Sequence, residues 1–204
     1  MTDAHAITTQ EQLQALYAPP RELVLKKVAD RIDPRTASFI AASPFAVLAT
    51  FGARGPHVTP RGDAPGFVDV VNETTLVLPD RRGNNRIDAL RDVVDNPAVS
   101  LLFMVPGVGE TLRVAGKARL TADPALCARY VVQGHLPATV MLVAVEEVFM
   151  QCSRAIARSK LWKAPEAPAS VPSAGELLEV HTKGLIDAAE YDRERGPVVA
   201  STLY

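Results

Sequence analysis

The chain has 204 residues, with 22 Lys plus Arg against 23 Asp plus Glu and a formal net charge of −1, enough to bury one core but without the excess charge of a nucleic-acid or membrane-surface binder. Cys127 and Cys152 stand far apart with no C-x-x-C or Cys/His ligand spacing, so they read as reduced core residues, and neither a disulfide framework nor a metal site is expected. The opening MTDAHAITTQEQLQ lacks a basic start and an apolar run, and no charge-free apolar stretch reaches bilayer length, so the expectation is a cytoplasmic protein without membrane contact.

Thr8 and Glu11 have capping-box spacing ahead of Leu13, Leu16 and Tyr17, which predicts a first helix that Pro19 and Pro20 stop. A second helical stretch runs from Arg21 to Asp30. Asp33-Pro34 then reads as an N-cap before a proline suited to a first helical turn, with apolar residues continuing through Phe39 and Ile40. From Phe45 the texture changes to short runs rich in Val, Leu, Thr and Phe between glycine and proline signals. These are Phe45 to Phe51, His57 to Arg61, Thr75 to Leu78, Val99 to Val105 and Thr111 to Leu120. The last run alternates, with Leu112, Val114, Gly116, Ala118 and Leu120 on one face and Thr111, Arg113, Lys117 and Arg119 on the other. Ala138 to Phe149 reads as apolar on both faces, the pattern of a strand covered on its second side by a helix or another subunit.

Helices are predicted over Asn85 to Asp95, from the spacing of Ile87, Leu90 and Val94, and over Asp123 to Gln133, from its acidic cap and proline. KAPEAPASVPSAG, after Trp162, has linker composition. Ser173 and Glu176 then repeat capping-box spacing before a terminal helical stretch broken near Gly184 and Gly196. The expected class is mainly β with flanking helices (α+β): a helical segment over 1–44, a barrel or sandwich over 45–162, and a proline-rich linker with a helical extension over 163–204.

Asp80-Arg81-Arg82-Gly83-Asn84-Asn85-Arg86 carries the most informative local chemistry, because it lies between a strand and an amphipathic helix. Free N–H groups at a helix N-terminus, the helix dipole, a glycine that lets backbone come close and arginine donors together suit a phosphate. The same residues also suit a solvated turn. In His57-Val58-Thr59-Pro60-Arg61-Gly62-Asp63, residues 57, 59, 61 and 63 share one face if the strand stays extended. That face offers an imidazole, a hydroxyl, a guanidinium and a carboxylate, or a plain solvent edge with an Arg61/Asp63 pair.

In order along the chain, FAVLATFGARGPHVTPRGD, LVLPDRRGNNRIDALRDVVDNPAVSLLF and ETLRVAGKARL resemble the FMN-binding split β-barrels of the pyridoxamine 5'-phosphate oxidase superfamily, over roughly Phe45 to Trp162. The resemblance implies a homodimer with FMN at the subunit interface. Asn85 and Arg86 fall where the family places an Arg-Lys pair on the FMN phosphate, at the end of the turn containing Asn84. Asn85 departs from the usual cation, and Arg81, Arg82 or Arg61 is left to supply the charge. Pro79 and Asp80 fall at the strand end that touches the ribityl chain, and Thr59, Pro60 and Arg61 fall on the strand under the flavin. Thr111 replaces a glutamine that contacts the isoalloxazine. In QCSRAIARSKLW, Arg154 and Trp162 fall where the family approaches the flavin, often from the neighbouring subunit.

The implied activity is that of an FMN-dependent oxidoreductase acting on a small-molecule substrate or electron donor, with FMN carrying the chemistry. The family's C-terminal Arg-x-His substrate motif is missing, so the pyridoxamine phosphate reaction itself is not expected. A non-catalytic FMN-binding or sensing module, and a split barrel using a deazaflavin or haem, stand as alternatives. No residue is an obvious general acid or base, although His57 could serve as one.

Overall fold

The computed structural model describes residues 3–163, 168 and 170–204. Three helices come first: α1 (Gln10–Gln14), α2 (Glu22–Lys26) and α3 (Pro34–Ala42). The strands are β1 (Phe45–Gly52), β2 (Gly55–Gly62), β3 (Asp69–Asn72), β4 (Thr75–Pro79), β5 (Ala98–Met104), β6 (Thr111–Thr121) and β7 (Val140–Gln151). Helix α4 (Asp88–Asp95) links β4 to β5, α5 (Pro124–Ala128) lies between β6 and β7, and α6 (Arg154–Ser159), α7 (Ala174–His181) and α8 (Ala188–Ser201) follow.

The seven strands form one sheet in the order β2-β1-β5-β6-β7-β4-β3, and every pairing is antiparallel. Strand β2 is an edge, which is why it tolerates Pro56 and Pro60: neither proline has an N–H to give to a ladder. The sheet curls. Arg61 on β2 reaches Asp80, just beyond β4, with a guanidinium–carboxylate distance of 2.9 Å, although four strands separate β2 from β4 in the sheet. Its inner face holds Leu48, Leu76, Leu101, Phe103, Val114 and Val143, with Ile40 of α3 and Val93 of α4 packed against them. Burying a side chain of this size stabilises by about 1.5–3 kcal/mol. This is a mainly β split barrel with flanking helices.

Several elements differ from the sequence expectations. The first capping box is Thr9 with Gln12, one residue beyond the pair anticipated, because Gln12 reaches the backbone N–H groups of Thr8 and Thr9. Strand β3 is unannounced, being only four residues long with an irregular register between Val70 and Asn72. Helix α4 starts at Asp88, three residues later than expected. Asn85 and Ile87 take left-handed backbone conformations with φ of 59° and 49°, so the chain is not helical before Asp88. The expected break at Gly196 does not occur: α8 runs through Gly196 and Pro197 and forfeits only the hydrogen bond that proline cannot give. The Asp33 cap before Pro34 and the Ser173/Glu176 box form as expected. The proline-rich linker lies partly outside the described residues.

Strand β7 corrects another expectation. Its outer side is covered by α5 near Val140 and Leu142. Farther along, Glu146 pairs with Lys117 and Glu147 with Arg113, so this half is amphipathic. Cys127 is buried, but Cys152 is exposed and not a core residue; the Arg154 backbone N–H and nearby positive charge hold its thiol below the usual range. Among the described residues, no helix is long and apolar enough to cross a membrane, and no group of three His, Cys, Asp or Glu residues could hold a metal ion.

Candidate functional site

Where the curled sheet leaves β2 and β4 unpaired with each other, a cavity of about 800 Å³ opens, in the range of small-molecule and cofactor sites. Two ion pairs staple its sides. Arg61 meets Asp80 at 2.9 Å, and Arg81 meets Asp63 at 2.7 Å. All four side chains are largely shielded from solvent, which strengthens each pair relative to a surface bridge. Burial pushes the Asp63 carboxyl up, but hydrogen bonds from the Tyr204 hydroxyl, the Ala64 amide and Arg81 outweigh it and leave the group below the usual carboxylate range.

One end of the cavity is the start of α4. Five helices begin at a side-chain cap, from Thr9, Asp33, Asp123, Ser173 and Asp187, whereas Ile87 before α4 gives none, as at the starts of α2 and α6. The amides at this end face the site without a side-chain acceptor, and the helix dipole adds partial positive charge there. Asp88 accepts from both Arg54 and Arg86, the latter at 2.9 Å. A β-branched residue such as Ile87 in a left-handed conformation stores strain of about 1–3 kcal/mol, a cost typical of ligand-binding turns.

Beside this end, His57 Nδ1 donates to Asp92 at 2.5 Å, and the same carboxylate accepts from the buried Thr50 hydroxyl at 2.6 Å. The Thr50 hydroxyl first, and His57 second, hold the Asp92 carboxyl below its ordinary range, so it stays ionised and fixes the proton on Nδ1. The other ring nitrogen is left for the cavity, which His57 lines. Gly52 makes room for this arrangement, since a Cβ there would come within 1.9 Å of an Asp92 carboxylate oxygen.

The cavity wall brings together Thr59, Pro60, Arg61, Pro79, Asp80, Arg81, Arg82, Asn84, Asn85 and Arg86, all singled out from sequence. Residues 57, 59, 61 and 63 do share a face, but Arg61 pairs with Asp80 and Asp63 with Arg81, not with each other. Thr111, Arg154 and Trp162 lie outside the cavity in the single chain. Thr111 is buried with its hydroxyl 3.5 Å from the Gln151 amide, Arg154 is exposed, and the Trp162 indole N–H donates to the Val108 carbonyl at 2.7 Å. The sequence reading missed Tyr204 and the segment His135 to Ala138, which also line the cavity. Nothing local marks Tyr204, because it meets Asp63 across 141 positions.

The fit to a phosphorylated cofactor rests on donors left unmet. Arg61 Nε is buried without a partner, a vacancy costing about 1–3 kcal/mol that a ligand acceptor would recover. The uncapped start of α4 would receive a phosphate, and Thr59 and Pro60 offer the surface between the two.

The chain is similar to several known proteins. Over 59% of this chain and 99% of theirs, the fold matches a histidine-to-alanine variant of HupZ from Group A Streptococcus, at 18% identity and a TM-score of 0.50. Unsubstituted HupZ matches over 60% of this chain and 95% of its own, at 20% identity and a TM-score of 0.49. General Stress Protein 26 from Bacillus anthracis matches over 55% and 88%, at 17% identity and a TM-score of 0.40. No curated protein matches the sequence. The family model described as pyridoxamine 5'-phosphate oxidase matches residues 32–152, which contain the whole sheet and most of the cavity wall, and the chain therefore belongs to the pyridoxamine 5'-phosphate oxidase family.

Proposed function

We propose that this protein binds FMN in the seam cavity and works as an FMN-dependent oxidoreductase on a small-molecule substrate or electron donor. The observation that carries the reading is the cavity's polarity: an uncapped helix start with arginines at one end, and a half-covered floor along β2 leading away from it. A ligand with an anionic tail and a planar ring matches that distribution. Bound FMN would supply hydride and electron chemistry, and the protein supplies binding, orientation and electrostatics. Arg86 would face the phosphate with the α4 amides, Arg61 would offer Nε to the cofactor, and His57 would present its free ring nitrogen as donor or acceptor. Among the cavity arginines, Arg82 has no carboxylate partner among the described residues, which leaves its guanidinium free for an anionic ligand.

We further propose a homodimer. Val47, Leu102 and Met104 are only partly covered on the outer face of β1 and β5, and Val58 beside them on β2 is 71% exposed. A contiguous apolar face of this kind calls for a partner, and a twofold copy is the common one. Arg154 and Trp162 would then approach the partner's cofactor. Titration of cofactor-free protein with FMN and with riboflavin, alongside sedimentation, tests the reading. One FMN per chain, riboflavin bound more weakly, and FMN shifting monomers to dimers are expected. A monomer that binds FMN at full affinity refutes the shared site, and the absence of flavin binding refutes the function.

A further inference from the structure

We infer that Tyr204 belongs to the ligand site itself, as the aromatic wall against which the ring end of the bound ligand packs. The inference rests on the reading of the seam cavity as a flavin site. Three observations carry it. First, Tyr204 lines the cavity, and its hydroxyl donates to Asp63 at 2.6 Å. Second, that acceptor is rigid. The Asp63 side chain is 4% exposed, and the Arg81 guanidinium and the Ala64 amide hold it, both at 2.7 Å. Arg81 is itself fixed by the Tyr130 carbonyl at 2.6 Å.

Third, the contact is not a by-product of helix packing. Helix α8, three residues before Tyr204, buries none of its residues, and Leu203 is 58% exposed while Tyr204 is half-buried. The Tyr204 hydroxyl ties this segment to the barrel through Asp63.

Position along β2 gives its role. Asp63 lies six residues beyond His57, about 20 Å along an extended strand. His57 stands beside the α4 end, so Tyr204 closes the opposite end, where the ring of a ligand anchored by its phosphate would arrive. A tyrosine suits this place because its ring offers a flat apolar face while the hydroxyl keeps a buried partner. It lies outside residues 32–152, which the family model covers.

The test compares wild type, Tyr204→Phe and Tyr204→Ala in titrations with FMN and riboflavin. Tyr204→Ala should weaken both flavins alike, by about tenfold, because the ring end is common to them. Tyr204→Phe, which keeps the ring but not the tether, should lose less. Unchanged affinity of Tyr204→Ala for both flavins overturns the inference, and so does tighter binding, which would make the tyrosine an obstruction. Should wild type bind neither flavin, the flavin reading fails by itself. The wall is then tested with 8-anilinonaphthalene-1-sulfonate: a changed dye affinity in Tyr204→Ala supports it, and an identical affinity overturns it.

Discussion

Arg86→Ala should weaken FMN binding while leaving riboflavin almost untouched, because in the proposed binding mode only the phosphate meets the α4 end of the cavity. The loss of a charge-assisted contact is worth about 1.5–3 kcal/mol. Two features of the structure place this case near the lower bound. The Arg86 side chain is 70% exposed, so solvent screens it, and it already shares Asp88 with Arg54. The expected drop is therefore about tenfold. The carboxylate supplies a control of opposite sign. Asp88→Asn frees two guanidinium groups from one acid, so FMN should bind several-fold more tightly at low salt, with the gain fading as ionic strength rises. Fluorescence titration of both variants at two salt concentrations reads these effects. Equal loss of FMN and riboflavin in Arg86→Ala, or weaker FMN binding in Asp88→Asn, would refute this account of the anion end.

Gly52→Ala forces a methyl into the Asp92 carboxylate and disrupts its bonds to Thr50 and His57; the expected cost is about 1–3 kcal/mol, a fall of several degrees in Tm by calorimetry, and an unchanged Tm would show that α4 shifts freely. Asp63 has a folded pKa below its unfolded value of about 3.9, so its stabilisation is present above that value and disappears as pH falls through the folded one; Asp63→Asn should flatten the acid limb of a stability–pH curve below about pH 4, and an unaltered limb counts against the Arg81–Asp63–Tyr204 cluster. Trp162→Ala removes the indole bond to Val108 and should lower Tm by a few degrees at most, while FMN affinity should fall if, as proposed, the side chain meets the partner's cofactor; unchanged FMN affinity would detach Trp162 from the site.

Strands were legible in the sequence wherever alternation met glycine or proline punctuation, as in Thr111 to Thr121, because a sheet with one face on a core imposes a period of two. Strand β3 escaped because four residues after a glycine-proline loop carry too little period to read. The α4 boundary failed for a different reason: Asn85 satisfies the statistics of a helix cap, but two left-handed residues postpone the helix to Asp88, and Ile87 is an unfavourable residue for such a place. Apolar letters in β7 hid the fact that Lys117 and Arg113 on the neighbouring strand hold its two glutamates on the outer face. The cavity wall along β2 and the turn at 79–86 was readable because each is continuous in sequence. Tyr204, Asp92 and Asp88 were not, since their roles exist only after α4 and the terminal segment fold against β2.

The most direct test of the account is the identity of the small molecule that leaves the purified protein on denaturation. Mass and absorbance should give FMN, about one per chain, and the native protein should show a flavin spectrum that reduced nicotinamide bleaches. Release of a deazaflavin or haem, or a protein that neither carries nor takes up FMN, would contradict it.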